Sequence, residues 1–189
     1  MKTLVKTLSV ALFSSLISSP AFAQFVYPSA SFFYPPASLN RGGFSPNPIQ
    51  VLENNEAQVF GFLLSTSNFE PELGTKENPV TILAPTNEAF AELSTEVRDK
   101  LADPVQMQKF LQYHLVPGQV SESNIQQGKV ATIEGNNLKI TGKMLSDRTT
   151  EIKLNNAVAL ESIRADENTV VIIVDRVLLP PDLASIEDN

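Results

Sequence analysis

Apolar and polar positions follow two rhythms along this chain, a helical one first and a strand-like one after it. From Ile49 the apolar residues Leu52, Val59, Phe60, Leu63 and Leu64 recur at helical spacing, and Glu53 and Glu56 take the other face. Asn47-Pro48 supplies an N-cap residue before a proline, which predicts where this run begins. The Asn54-Asn55 pair is a place for the run to divide into two helices. Val80 to Ala84 is a short apolar, β-branched run that reads as a buried strand. Pro85 cannot donate a ladder hydrogen bond, so the strand ends there. Thr86 and Asn87 are N-cap types followed by Glu88, and Phe90 and Leu93 share a helical face, so strand passes to helix through a sharp corner.

Two further helix starts come next. Ser94 caps a segment through Lys100, with Val97 and Leu101 apolar. Asp103-Pro104 opens another that carries Met107, Phe110 and Leu111 and ends near Tyr113-His114, before a turn at Pro117-Gly118. From there the rhythm changes to alternation. Val130 to Ile133 and Leu138 to Thr141 flank Gly135-Asn136-Asn137 as a hairpin. Glu151 to Leu154 alternates again, and Val158, Leu160 and Ile163 mark another strand that turns at Asp166-Glu167-Asn168. Val170 to Val174 is five consecutive β-branched residues, the pattern of a strand buried on both faces. Helices first and strands after make the fold class α+β, as one domain over 48–183 with an acidic tail over 184–189.

The N-terminal region has no such periodicity. Lys2 and Lys6 precede an apolar stretch from Leu8 to Ile17, and Ala21-Phe22-Ala23 is an A-x-A site. These features predict a signal peptide over 1–23 and a secreted chain, extracellular or periplasmic, starting at Gln24. The apolar stretch is shorter than the roughly 20 residues a membrane span needs, and no second long one follows, so no transmembrane segment is expected. Residues 24–47 combine Phe25, Tyr27, Phe32, Phe33, Tyr34 and Phe44 with four prolines. Such a segment cannot sustain a helix; it is either a disordered leader or an aromatic arm that packs on the domain or on a partner.

Charge and composition narrow the chemistry. A net charge of −7 argues against nucleic acid and against an electrostatic grip on anionic membranes. With no cysteine there are no disulfides and no thiolate metal sites. His114 is the single histidine, so a Ser or Thr nucleophile would have to pair with it, and no Gly-x-Ser-x-Gly elbow occurs. Gly142-Lys143 lacks the spacing of a phosphate loop, and no Asp/Asn run matches a calcium loop. The expectation is a protein that is not an enzyme and holds no metal or cofactor.

Three stretches, in order, resemble signature blocks of one family. Val80 to Phe90, Tyr113-His114-Leu115-Val116-Pro117-Gly118 and Asn168 to Pro180 are similar to the opening, Tyr-His and closing blocks of the fasciclin domain, and the likeness runs from about Pro48 to Leu183. The resemblance implies a wedge-shaped β-sandwich with several helices packed at one side. It implies a secreted, non-catalytic module for cell adhesion or extracellular-matrix interaction, with an extracellular protein or polysaccharide as partner. It also implies that Tyr113 and His114 are partner-binding. Their residue types suggest a structural role as well, since a histidine ending a helix bonds local carbonyls and a tyrosine packs inward with its hydroxyl bonded. Thr169 and Ile172 stand where the family carries Gly and His, and no Arg-Gly-Asp occurs. Some exported proteins that resemble fasciclin domains bind carotenoids. The alternative reading is therefore a soluble exported carrier of an apolar small molecule such as a carotenoid.

Overall fold

The computed structural model describes residues 47–67, 74–145 and 150–187. The expected signal peptide and almost all of the expected aromatic arm lie outside these residues. Helix α1 (Pro48–Asn54) starts where the sequence places it, with the Asn47 side chain accepting the Ile49 N–H at 2.9 Å. The run divides at Asn55, and Glu56 takes a left-handed conformation (φ 60°) before α2 (Gln58–Thr66). Strand β1 (Val80–Pro85) is buried along its whole length. Thr86 then caps α3 (Asn87–Ala91), accepting from the Ala89 N–H. Ser94 caps α4 (Thr95–Leu101), and Asp103 caps α5 (Pro104–Tyr113) by accepting from two backbone N–H groups.

After α5 come β2 (Leu115–Pro117), α6 (Glu122–Gln127), β3 (Lys129–Ala131), β4 (Asn137–Met144), β5 (Thr150–Leu154), β6 (Ala157–Arg164) and β7 (Thr169–Val174). The last element, α7 (Pro181–Glu187), runs past Leu183 into the segment expected as an acidic tail. There Ala184 and Ile186 pack against the core beside buried Leu183, because the helical period brings all three to one side.

The strands form one seven-stranded sheet in the order β2-β1-β7-β6-β5-β4-β3. β1 and β7, second and third in that order, are parallel; the other pairs are antiparallel. Two features curl the sheet. A bulge interrupts β6 between Ala159 and Glu161, and β6 meets β5 only at Lys153–Val158 and Leu154–Ala157. The ends then approach each other. Just past β3, the Ile133 N–H donates to the Leu115 carbonyl of β2 at 2.7 Å. The mixed α+β class expected from the sequence holds, whereas the expected wedge-shaped β-sandwich gives way to a single, nearly barrel-shaped sheet.

The curled sheet separates two cores. Leu83, Val116, Leu138, Ile140, Ile152, Leu154, Val170, Ile172 and Val174 fill its inside. Ile82, Ala84, Val171 and Ile173 face out onto the helices, meeting Leu52, Phe60, Leu64, Val97, Phe110 and Leu111. Alternate residues of β7 feed the two cores, and that is why its sequence is continuously β-branched.

Candidate functional site

Helix α5 and strand β2 meet at Tyr113 and His114, the two residues singled out by the sequence. Phe110, Leu111 and Tyr113 are the buried residues of α5, and His114 is its C-cap. The corner is fixed on both sides by backbone. The His114 carbonyl accepts from the Leu83 N–H at 2.8 Å, and the His114 N–H donates to the Leu111 carbonyl at 3.0 Å. Adjacent in sequence, the two side chains enter different cores.

His114 is fully buried on the helical side. Its ring lies between Phe60 and Phe110, with centroids 5.2 Å and 4.5 Å away. Nδ1 is 2.9 Å from the Phe110 carbonyl, and Nε2 is 3.2 Å from the Leu178 backbone N. A carbonyl needs a donor and an N–H needs an acceptor, so the ring is neutral with its proton on Nδ1. Burial pushes its pKa down to about 4, against a smaller upward pull from the Phe110 carbonyl. Protonating Nε2 would set two donors against each other and break the bond to Leu178.

Tyr113 enters the core inside the sheet and is likewise buried. Its hydroxyl accepts from Asn155 Nδ2 at 3.2 Å. Burial raises the phenol's pKa; the bond from Asn155 opposes this and the nearby Glu134 charge adds to it. Asn155 sits at φ 52° in the β5–β6 turn, a conformation asparagine tolerates. It also exchanges bonds with Lys139: its Oδ1 accepts the Lys139 N–H, and its own N–H donates to the Lys139 carbonyl. Tyr113 thereby reaches the β4–β5–β6 side of the sheet, while His114 ties α5 to the chain after β7.

The structure places both side chains in the interior. One residue of this frame, Asn155, lay outside the sequence reading; its left-handed turn follows an alternating strand and carries no motif. Asn87 was read as a cap for its own helix, but its Oδ1 accepts the Val59 N–H at 3.0 Å and its Nδ2 bonds Gln58 Oε1, which fastens the start of α2 to the opening block. Only the N-cap residue type of Asn87 hinted at such a use.

The only imidazole of the sequence has both nitrogens engaged by backbone groups. A depression lined by Ala89, Glu92, Leu93, Asn156, Arg176 and Val177 holds about 80 Å³, far below the volume of an ordinary metabolite site. Among the described residues no group of three His, Asp or Glu side chains is placed to hold a metal, and no helix is long and apolar enough to cross a membrane.

Comparison with known proteins agrees with the geometry. The fasciclin domain family model matches residues 55–180. The curated Protein sll1483 of Synechocystis sp. (strain ATCC 27184 / PCC 6803 / Kazusa) is 35% identical over 108 residues, 56% of this chain. The aligned stretch spans 57% of that relative. Among solved structures, a FAS1 domain pair from the insect cell adhesion molecule Fasciclin I superposes with a TM-score of 0.51 at 26% identity. That match covers 67% of this chain and 46% of the insect chain.

Proposed function

This chain belongs to the fasciclin domain family, and from that premise we propose that it is a secreted, non-catalytic module for cell adhesion or matrix interaction, with an extracellular protein or polysaccharide as partner. One observation carries the non-catalytic part. The single histidine of a chain without cysteine is sealed between two phenylalanine rings and held neutral by two backbone groups. It therefore serves the fold rather than a nucleophile. The same burial implies that recognition uses a surface other than the Tyr113 and His114 side chains. The pair's part in any partner binding is to hold the corner on which that surface rests. The insect protein whose domain pair superposes is a cell adhesion molecule, which supports the adhesion reading. The amino-terminal features from Lys2 to Ala23 support export.

The test is attachment. Beads coated with the full chain should bind cells or cell-surface matrix from its source saturably, and free chain should compete. Beads that bind no more than albumin-coated ones would refute the adhesion role.

A further inference from the structure

One end of the curled sheet carries polar atoms that the fold does not use. β6 pairs with β7 as far as Arg164, but with β5 only through Ala157 and Val158. Past Val158 the β5–β6 ladder ends, and the edges of the two strands are unpaired among the described residues at this mouth of the sheet. Directly opposed residues of neighbouring strands share a face. Ser162 opposes Ile172 and Arg164 opposes Val170, and both partners belong to the enclosed core. Ser162 and Arg164 therefore point inward at this mouth, about 7 Å apart as alternate residues of one strand.

Thr81 lies in the same row, also opposite Val170, but its hydroxyl is engaged. It donates to the Gly118 carbonyl at 2.9 Å and accepts from the Val120 N–H at 3.3 Å. Ser162 Oγ and Arg164 Nε are buried with no hydrogen-bond partner, and Arg164 makes no ion pair among the described residues. Buried polar atoms are rarely left so, and a guanidinium calls for an anion. The strand beyond β5 is β4, which forms the wall on that side. Its inward alternation continues from Leu138 and Ile140 to Gly142 and Met144, where the strand becomes exposed. Ile125 of α6 closes over Gly142: a Cβ at that position would lie 3.4 Å from the Ile125 side chain. Met144 and Leu145 extend this wall as exposed apolar surface.

We propose that this mouth binds a small amphiphile bearing a carboxylate. The Arg164 guanidinium and the Ser162 hydroxyl donate to the carboxylate, and Met144, Leu145 and Ile125 cover the apolar part. The proposal is independent of the adhesion reading. A chain of net charge −7 repels anions at long range, so this selectivity has to be local.

Calorimetric titration of the full chain with decanoate, decylammonium and acetate tests it. Decanoate should bind at one saturable site, and the other two should bind at least tenfold more weakly. Arg164→Gln should weaken decanoate by about 10- to 100-fold, the range of one charge-assisted contact. Arg164→Lys should keep most of the affinity, and Ser162→Ala should lose a few-fold. Melting temperatures show whether each variant folds; if Arg164→Gln does not, the contrast between Arg164→Lys and Ser162→Ala decides. Equal binding of decylammonium, equal binding of acetate, absence of decanoate binding, or a folded Arg164→Gln with wild-type affinity would each overturn the proposal.

Discussion

His114 shows how one side chain can close a fold. Its two bonds and two ring contacts gather α2, α5 and the segment after β7. His114→Ala removes an acceptor from a buried N–H and leaves a cavity, so it should cost about 3 kcal/mol in chemical denaturation. Tyr113→Phe removes one bond from Asn155 and should cost only about 1 kcal/mol. The imidazole also sets a pH dependence. Its pKa is about 4 in the fold against an ordinary 6.5, so the unfolded chain takes up the proton first on acidification. Stability is full above pH 6.5, falls as pH drops through the window to 4, and loses roughly 3 kcal/mol from this group in all. No other side chain of the sequence has an ordinary pKa between pH 5 and 6.5. Melting temperatures at pH 6.5 and 5 should therefore differ for the native chain and agree for His114→Gln.

The elements divide by whether their signal is local. The β1 corner, the Asp103 cap, the β3–β4 hairpin and β7 follow from residue type and spacing, and they stand where the sequence places them. β2 has three residues, too few for a pattern, and α6 buries none of its residues, so it has no apolar rhythm to read. The curl of the sheet depends on the β6 bulge and the short β5–β6 ladder, which arise from pairing rather than propensity. The depth of His114 was hidden for a similar reason, since its partner Leu178 is 64 residues away. Alternation gives β5 a wetter side, but Ile152 is on the dry one and is as buried as Ile173 of the continuously apolar β7. Ile152→Asp and Ile173→Asp should therefore each cost more than about 3 kcal/mol, measured by soluble yield and melting. Gly74 and Thr169 supply a further check. A Cβ at Gly74 (φ +65°) would lie 1.8 Å from Thr169 Oγ1, so Gly74→Ala should destabilise strongly. Thr169→Gly should recover part of that loss, giving a coupling above about 0.5 kcal/mol in a double-mutant cycle.

Across the whole molecule, one curled sheet keeps two cores apart, and the Tyr-His corner is anchored in both. That arrangement makes the block the hinge-pin of the architecture, and the proposed adhesion role then uses the outer surface. Melting temperature and surface attachment of His114→Ala and Tyr113→Phe, read on the same preparations, test this most directly. Attachment should fall only in proportion to the fraction unfolded, so that each folded molecule of either variant adheres as the native chain does. A His114→Ala variant that keeps the native melting temperature and no longer attaches would contradict the account and make the block the binding site itself.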